Sequence, residues 1–427
     1  MIAKVSSLLT SIQTWIVQRR RSLAAWFSAD PKENSLPEES LKQLPSTLRR
    51  RLMQQLKRLP SHPDHAEQLK TDFRQAFQDW HSRQRSSPDD WEGDHHDNVW
   101  IIVSSSVANL PDVMGVFLKA IADGDTQGET ALSHQGLPLQ LVRWSTRPDG
   151  KSLSKELLQL GDRSTSADGR RIVVIPCLEQ CFLRSVNGLE GIDRLTQDLL
   201  GDPSRFWIIG LGQVGWRYLQ AISALDSYSD RTTHLEELSG EQLSKWIDPV
   251  VSELTIEFQS SLLRSRLTSK NLDWKTKYFS ILADEAKGID TVAVQLFLNT
   301  LQVISDDDDP DEDHQGEDEA DQTKDPEEDP ETDKFQGCKI QAKLPERPGM
   351  PKLIGESEYL LYSLLLHRTL TRQELAESLG MTLRQITPWV QNLRQAGVIE
   401  QQGKTLTLNP IYYPTVCTKL EGDNFSL

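Results

Sequence analysis

The sequence predicts an α/β fold, a doubly wound parallel sheet, and three observations carry that prediction. Short apolar-rich runs recur at 99–103, 171–175 and 206–210, with more mixed strand candidates at 139–144 and, shorter, at 232–235. Stretches with apolar residues at three- and four-residue spacing separate them, at 111–122, 152–160, 189–200 and 214–225. Runs that do not alternate with polar residues imply strands buried on both faces, and intervening helices supply the cover. This part of the chain is placed at residues 99–235.

The elements before it are helical. Val5, Leu8, Leu9, Ile12, Trp15, Ile16, Leu23, Trp26 and Phe27 make one apolar face at helical spacing. Residues 1–60 carry 11 Lys/Arg against 4 Asp/Glu, including Arg19, Arg20 and Arg21. Such a helix over residues 1–29 can lie on an anionic membrane surface, peripheral to the inner face, or pack on protein. Ser6, Ser7, Thr10 and Ser11 dilute the apolar face and favour the protein contact. The stretch 5–17 is too short to cross a bilayer. A second helix is expected over 64–83, so residues 1–90 form a basic helical region that is auxiliary to the sheet. Residues 91–98 are a linker by composition, and His95 with His96 there lacks the scaffold a metal needs.

Two helical segments follow the sheet, at 239–254 and 275–304, and make a lid over 236–304. Next comes a linker, 305–352, whose first 30 residues hold 17 Asp/Glu and two Lys. That stretch accounts for nearly all of the net charge of −16 and leaves the rest close to neutral. Mutually repelling acids bury no core, so disorder is expected. The last domain, 353–427, shows helices at 358–367, 371–379 and 382–396, then a hairpin from 397–400 and 405–408 around Gly403. Three helices and a hairpin describe a winged helix-turn-helix.

The four cysteines, Cys177, Cys181, Cys338 and Cys417, form no metal or redox pattern and fit free thiols in a cytoplasmic protein. No Ser-His-Asp or Cys-His spacing points to a catalytic residue. Gly210-Leu211-Gly212-Gln213-Val214-Gly215 matches a dinucleotide fingerprint, which makes NAD a candidate ligand. Its context weighs against it. Three strands precede this one, Trp216 follows the third glycine, and no ribose-binding acid ends a strand about twenty residues on.

The order of elements resembles the AAA/STAND group of P-loop ATPases. The resemblance rests on 171–179 as the strand of the second acidic motif, 205–210 as the sensor strand and 232–238 as the last strand. Leu238-Ser239-Gly240-Glu241-Gln242-Leu243 is similar to the opening of the lid region, and Ala283-Asp284-Glu285-Ala286-Lys287-Gly288 to its lid helix. The resemblance implies a P-loop ATPase-like sheet and a nucleotide site at Ser104, Ser105, Ser106 and Glu179. The chemistry departs from that group. The segment after the first strand, Ser104-Ser105-Ser106-Val107-Ala108-Asn109, has no glycine and no lysine for phosphates. Pro176 stands where a magnesium-holding acid is required, and the nearest acid is Glu179. ATP is therefore a doubtful ligand, no other cofactor is expected, and a non-catalytic regulatory or adaptor protein is the reading. A residual ATP-binding switch is kept as an alternative.

Arg143, Arg147 and Arg184 lie near strand ends and are candidates for an anion or a protein partner, with pairing to the chain's own acids as the other explanation. Arg384, Gln385, Gln391 and Arg394 on the expected recognition helix are candidate DNA contacts. Pro388 inside that helix weighs against them. So do the 6 Lys/Arg and 7 Asp/Glu of residues 353–427.

Overall fold

The computed structural model describes residues 42–43, 49–50, 52, 54–56, 59, 62–83, 97–122, 133–142, 144, 147, 170–229, 231–258, 274–304 and 339–427. The expected helices over 5–27 and 152–160, His95, His96, Arg143 and the acidic stretch 305–334 lie outside them. The chain divides into two compact units, one of residues 1–43 and 303–338, the other of 44–302 and 339–427. In the first, Lys42–Gln43 is a two-residue strand. The second holds the sheet, the lid and the C-terminal elements.

Its sheet has six strands: β1 (Val99–Ser104), β2 (Ser133–His134), β3 (Leu137–Leu141), β4 (Arg171–Ile175), β5 (Arg205–Gly212) and β6 (Arg231–His234). The order is β2-β3-β4-β5-β1-β6. Strands β3, β4, β5, β1 and β6 are all parallel, with Val173 opposite Trp207 and Val99 opposite Trp207 on the other side. Taken along the chain, the five parallel strands run second, third, fourth, first, fifth. This is the α/β arrangement of P-loop ATPase-like proteins. Only β2 runs antiparallel, at the edge.

Both faces of β1, β4 and β5 are buried, which is why those strands read as nearly unbroken apolar runs. Trp100, Ile102, Ile172, Val174, Phe206 and Ile208 face α2 (Leu110–Ile121) and α1 (Pro63–Arg83). Ile101, Val103, Val173, Ile175, Trp207 and Ile209 face α3 (Glu190–Gly201) and α4 (Gln213–Ile222).

Helix α1 is no accessory. Its buried Leu69, Phe73, Phe77 and Trp80 belong to the core on the first face. It also covers the sheet edge: Gln68 Nε2 donates to the His234 carbonyl at 2.8 Å, the Thr233 hydroxyl donates to Asp72 at 2.9 Å, and Arg231 pairs with Asp79. An open edge strand would otherwise present unpaired backbone groups.

The lid begins with α5 (Gly240–Glu253), opened by a reciprocal cap between Ser239 and Gln242. The single helical stretch expected over 275–304 is in fact α6 (Trp274–Ala286), α7 (Asp290–Thr300) and a strand, β8 (Leu301–Ile304). Lys287 at φ 51° and Gly288 at φ 63° make the break, because two left-handed residues end a right-handed helix. A short β7 (Glu257–Phe258) pairs in parallel with β9 (Lys339–Ala342).

The C-terminal elements are α8 (Ser357–His367), β10 (Thr369–Thr371), α9 (Arg372–Leu379), α10 (Leu383–Gln395), β11 (Ile399–Gln402), β12 (Thr405–Leu408) and α11 (Tyr413–Gly422). Helix α10 runs through Pro388. Beyond the expected hairpin, β10 pairs with β12 to make a three-stranded antiparallel sheet, and α11 is an added helix.

Candidate functional site

The segment after β1 is a short turn, Ser105 to Asn109, that runs directly into α2. Ser104 Oγ donates to the Ser105 carbonyl at 3.2 Å, and Ser105 Oγ accepts the Ala108 N–H at 3.2 Å. The turn is gripped by its carbonyls. Thr291 of the lid donates to Val107 at 3.1 Å, and Arg368 of the C-terminal elements donates to Ala108. A phosphate-binding loop instead holds its amides toward an open space.

Strand β4 ends at Ile175, and Pro176 leads into a single 3₁₀ turn, Leu178–Cys181, that carries Glu179. Glu179 is 0% exposed. One carboxylate oxygen accepts the Gly212 N–H at the start of α4, and the other accepts from Cys177 Sγ at 3.3 Å. Burial, and then the Glu179 charge, push the Cys177 thiol far above its ordinary range. Glu179 thus occupies a helix N-terminus where a bound anion would sit.

The dinucleotide fingerprint has the same kind of explanation. A Cβ on Gly210 would lie 2.6 Å from Met114 Sδ, and one on Gly212 would lie 3.0 Å from a Glu179 oxygen. At Gly215 it would lie 3.3 Å from the Leu366 carbonyl. Gly210 and Gly212 lie within β5, and all three glycines are buried. Close packing demands them, and the Gly212 amide that would face a pyrophosphate is already bonded.

Arg147 donates to the carbonyls of Glu179 and Phe182 and pairs with Glu374 at 3.2 Å. It therefore fastens the 3₁₀ turn to α9. Burial acts to raise the Glu374 pKa, but hydrogen bonds from Thr371 and the Arg147 charge outweigh it and leave the pKa lowered. The Arg184 guanidinium lies 5.8 Å from the Tyr362 ring centre, and its backbone N–H donates to His367 Nε2 at 3.2 Å. His367 is 1% exposed; burial first, then Arg147 and Arg184, hold its pKa well down, so the ring is neutral.

The structure thus separates the four nucleotide candidates. Ser106 and Glu179 both press on Gly212, while Ser104 and Ser105 line a cleft of about 390 Å³ on the other side of the turn. On α10, Arg384, Gln391 and Arg394 are exposed. Gln385 is exposed too, but its side-chain oxygen accepts the Thr382 N–H at 2.9 Å as part of the helix cap. Arg368, Glu374 and His367 escaped the sequence reading. Only Glu374 left a signal, as the fourth residue of the cap motif that begins at Thr371. Among the described residues no group of three or more His, Cys, Asp or Glu can hold a metal ion, and no helix is long and apolar enough to cross a membrane.

No protein-family model matches the chain, and no curated protein matches it in sequence. Solved structures do. A RuvB mutant from Thermotoga maritima is 11% identical at a TM-score of 0.34, covering 82% of this chain and 94% of that one. Cdc6p from Pyrobaculum aerophilum is 13% identical at 0.30, covering 87% and 96%. ORC1 from Aeropyrum pernix, solved in complex with DNA, is 10% identical at 0.32, covering 85% and 94%. Superpositions at this level carry no argument about function. The fold assignment rests on the strand order.

Proposed function

We propose that this chain is a non-catalytic regulatory or adaptor protein built on a P-loop ATPase-like sheet, working through protein contacts of its α/β and C-terminal elements. One observation carries the reading. The acid nearest the expected magnesium position, Glu179, is fully buried and spent on the Gly212 amide. A nucleotide-driven protein needs that carboxylate free for metal and that helix end free for phosphate. Here the chain's own groups fill the roles: Glu179 caps α4, and Arg147 with Arg368 ties the C-terminal elements to the strand ends. In this reading the three helices and the β10-β12-β11 sheet are a winged helix fixed in place without a nucleotide. Calorimetry of the full chain with ATP and magnesium tests it, and no binding at micromolar concentrations is expected. Micromolar affinity that disappears in Glu179→Ala would overturn it.

A second reading, DNA binding through α10, is favoured by how the charges are distributed. Residues 353–427 are close to neutral in sum, and three of their seven acids are paired with bases of the chain itself. Glu374 pairs with Arg147, Glu377 accepts from Ser185 at 3.4 Å, and Glu358 and Asp423 pair with Lys419 at 3.0 and 2.5 Å. Exposed Arg384, Arg394 and Lys404 remain, together with Arg372, which donates to Gln401 on the hairpin at 3.2 Å. If this face meets phosphates, duplex DNA binding by fluorescence anisotropy weakens steeply with salt. The double variant Arg384→Ala/Arg394→Ala then lowers the salt slope by about 2. Absence of binding at low salt removes this reading and leaves the first.

A further inference from the structure

The cleft beside Ser104 and Ser105 lies at the carboxyl ends of β5, β1 and β6, where open α/β sheets bind ligands. At about 390 Å³ it falls within the ~300–1,000 Å³ range of small-molecule pockets. Its two ends differ in chemistry. On the β5 side, Gln213 and Val214 line the cleft at the start of α4, whose Gly212 amide Glu179 already caps, and exposed Arg217 stands one turn further on. The guanidinium there attracts an anion.

The β6 side is built of acceptors. His65 is 7% exposed, and its Nε2 lies 3.0 Å from the Glu236 carbonyl. That contact needs the proton on Nε2, which leaves Nδ1 as an acceptor; Nδ1 is buried and has no partner. Asp290 is 8% exposed, and one of its carboxylate oxygens takes the Thr291 N–H at 2.7 Å. Burial pushes its pKa up, against the pull of that hydrogen bond and of nearby His65 and His62. Glu236 and Glu237 stand on the same side. Lys287, held at φ 51° on the lid turn, overlooks the cleft beside Cys417.

We propose that this cleft binds a small zwitterion of amino-acid to dipeptide size, with its ammonium group at His65 and Asp290 and its carboxylate at Arg217. A dianion would meet Asp290, Glu236 and Glu237, and a dication would meet Arg217 and Lys287. A molecule charged at both ends matches both walls. Strands β5 and β6 flank β1, so the two walls stand about two strand spacings apart, ~10 Å. That separation suits a ligand with several bonds between its charges.

The test uses the full chain and three probes of similar length: ε-aminocaproate, hexylamine and hexanoate. Calorimetry is expected to show saturable binding of ε-aminocaproate at least about tenfold tighter than either singly charged probe. Asp290→Asn and Arg217→Gln should each weaken it about tenfold or more. The first is isosteric and removes a buried charge, and the second is on the surface, so melting curves will show both variants folded. No saturable binding of ε-aminocaproate, equal binding of hexylamine or hexanoate, or unchanged affinity in both variants would each overturn the proposal. ATP binding would overturn the non-catalytic reading without touching this one, since the two are read with different ligands.

Discussion

Replacing Phe73 with alanine is expected to destabilise the α/β unit by about 3–5 kcal/mol, the range for a large aromatic removed from a packed core. Phe73 is 0% exposed and lies at the centre of an aromatic cluster that joins α1 to the sheet. Its ring centre is 5.3 Å from Phe77, 5.5 Å from Phe117, 6.1 Å from Trp100 and 6.1 Å from Phe206. Phe117 belongs to α2 and Trp100 and Phe206 to the central strands, so a void at residue 73 is lined by three separate elements and cannot close by moving one. Urea unfolding monitored by tryptophan fluorescence measures the loss. The result also decides what α1 is. A loss below about 1 kcal/mol would mean that the helix rests on a sheet that is stable without it. A loss in the expected range makes residues 63–83 part of the domain, and trimming the chain at residue 90 would then expose the core.

The central strands were legible because both of their faces are covered. Burial on two sides forces continuous apolar runs, and those runs stand out in a sequence that is otherwise strongly polar. What lay outside local patterning was missed. Helix α1 showed its apolar face, but spacing alone does not say which surface receives that face. Strand β3 was expected to begin at residue 139, after Pro138, yet it includes that proline. Pro138 faces the two-residue edge strand β2, where the missing N–H costs little. The lid break at Lys287 was hidden because apolar spacing continues across it. The candidate site was legible in one respect, the loss of the residues a nucleotide needs. What replaced them was not, because Arg147 and Glu374 are 227 residues apart and no local signal joins them. The glycines at 210, 212 and 215 were plain to see, while the sulfur, carboxylate and carbonyl pressing on them were not.

Glu179→Ala is expected to cost about 3 kcal/mol, more than most single changes in a protein of this size. Two losses add. The Gly212 N–H is left buried without an acceptor, at about 1–3 kcal/mol. The favourable interaction of a buried carboxylate with the α4 N-terminus is lost as well. Glu179→Gln separates the two effects, because an amide oxygen can still accept the Gly212 N–H while the charge is gone. If the hydrogen bond dominates, the glutamine variant keeps most of the stability. If the charge dominates, both variants fall together. Denaturant unfolding of the three chains provides the comparison. A Glu179→Ala chain within about 0.5 kcal/mol of the parent, the scatter of surface changes, would show that this carboxylate does not hold the strand tip. The site would then lack the internal anion that distinguishes it from a nucleotide pocket.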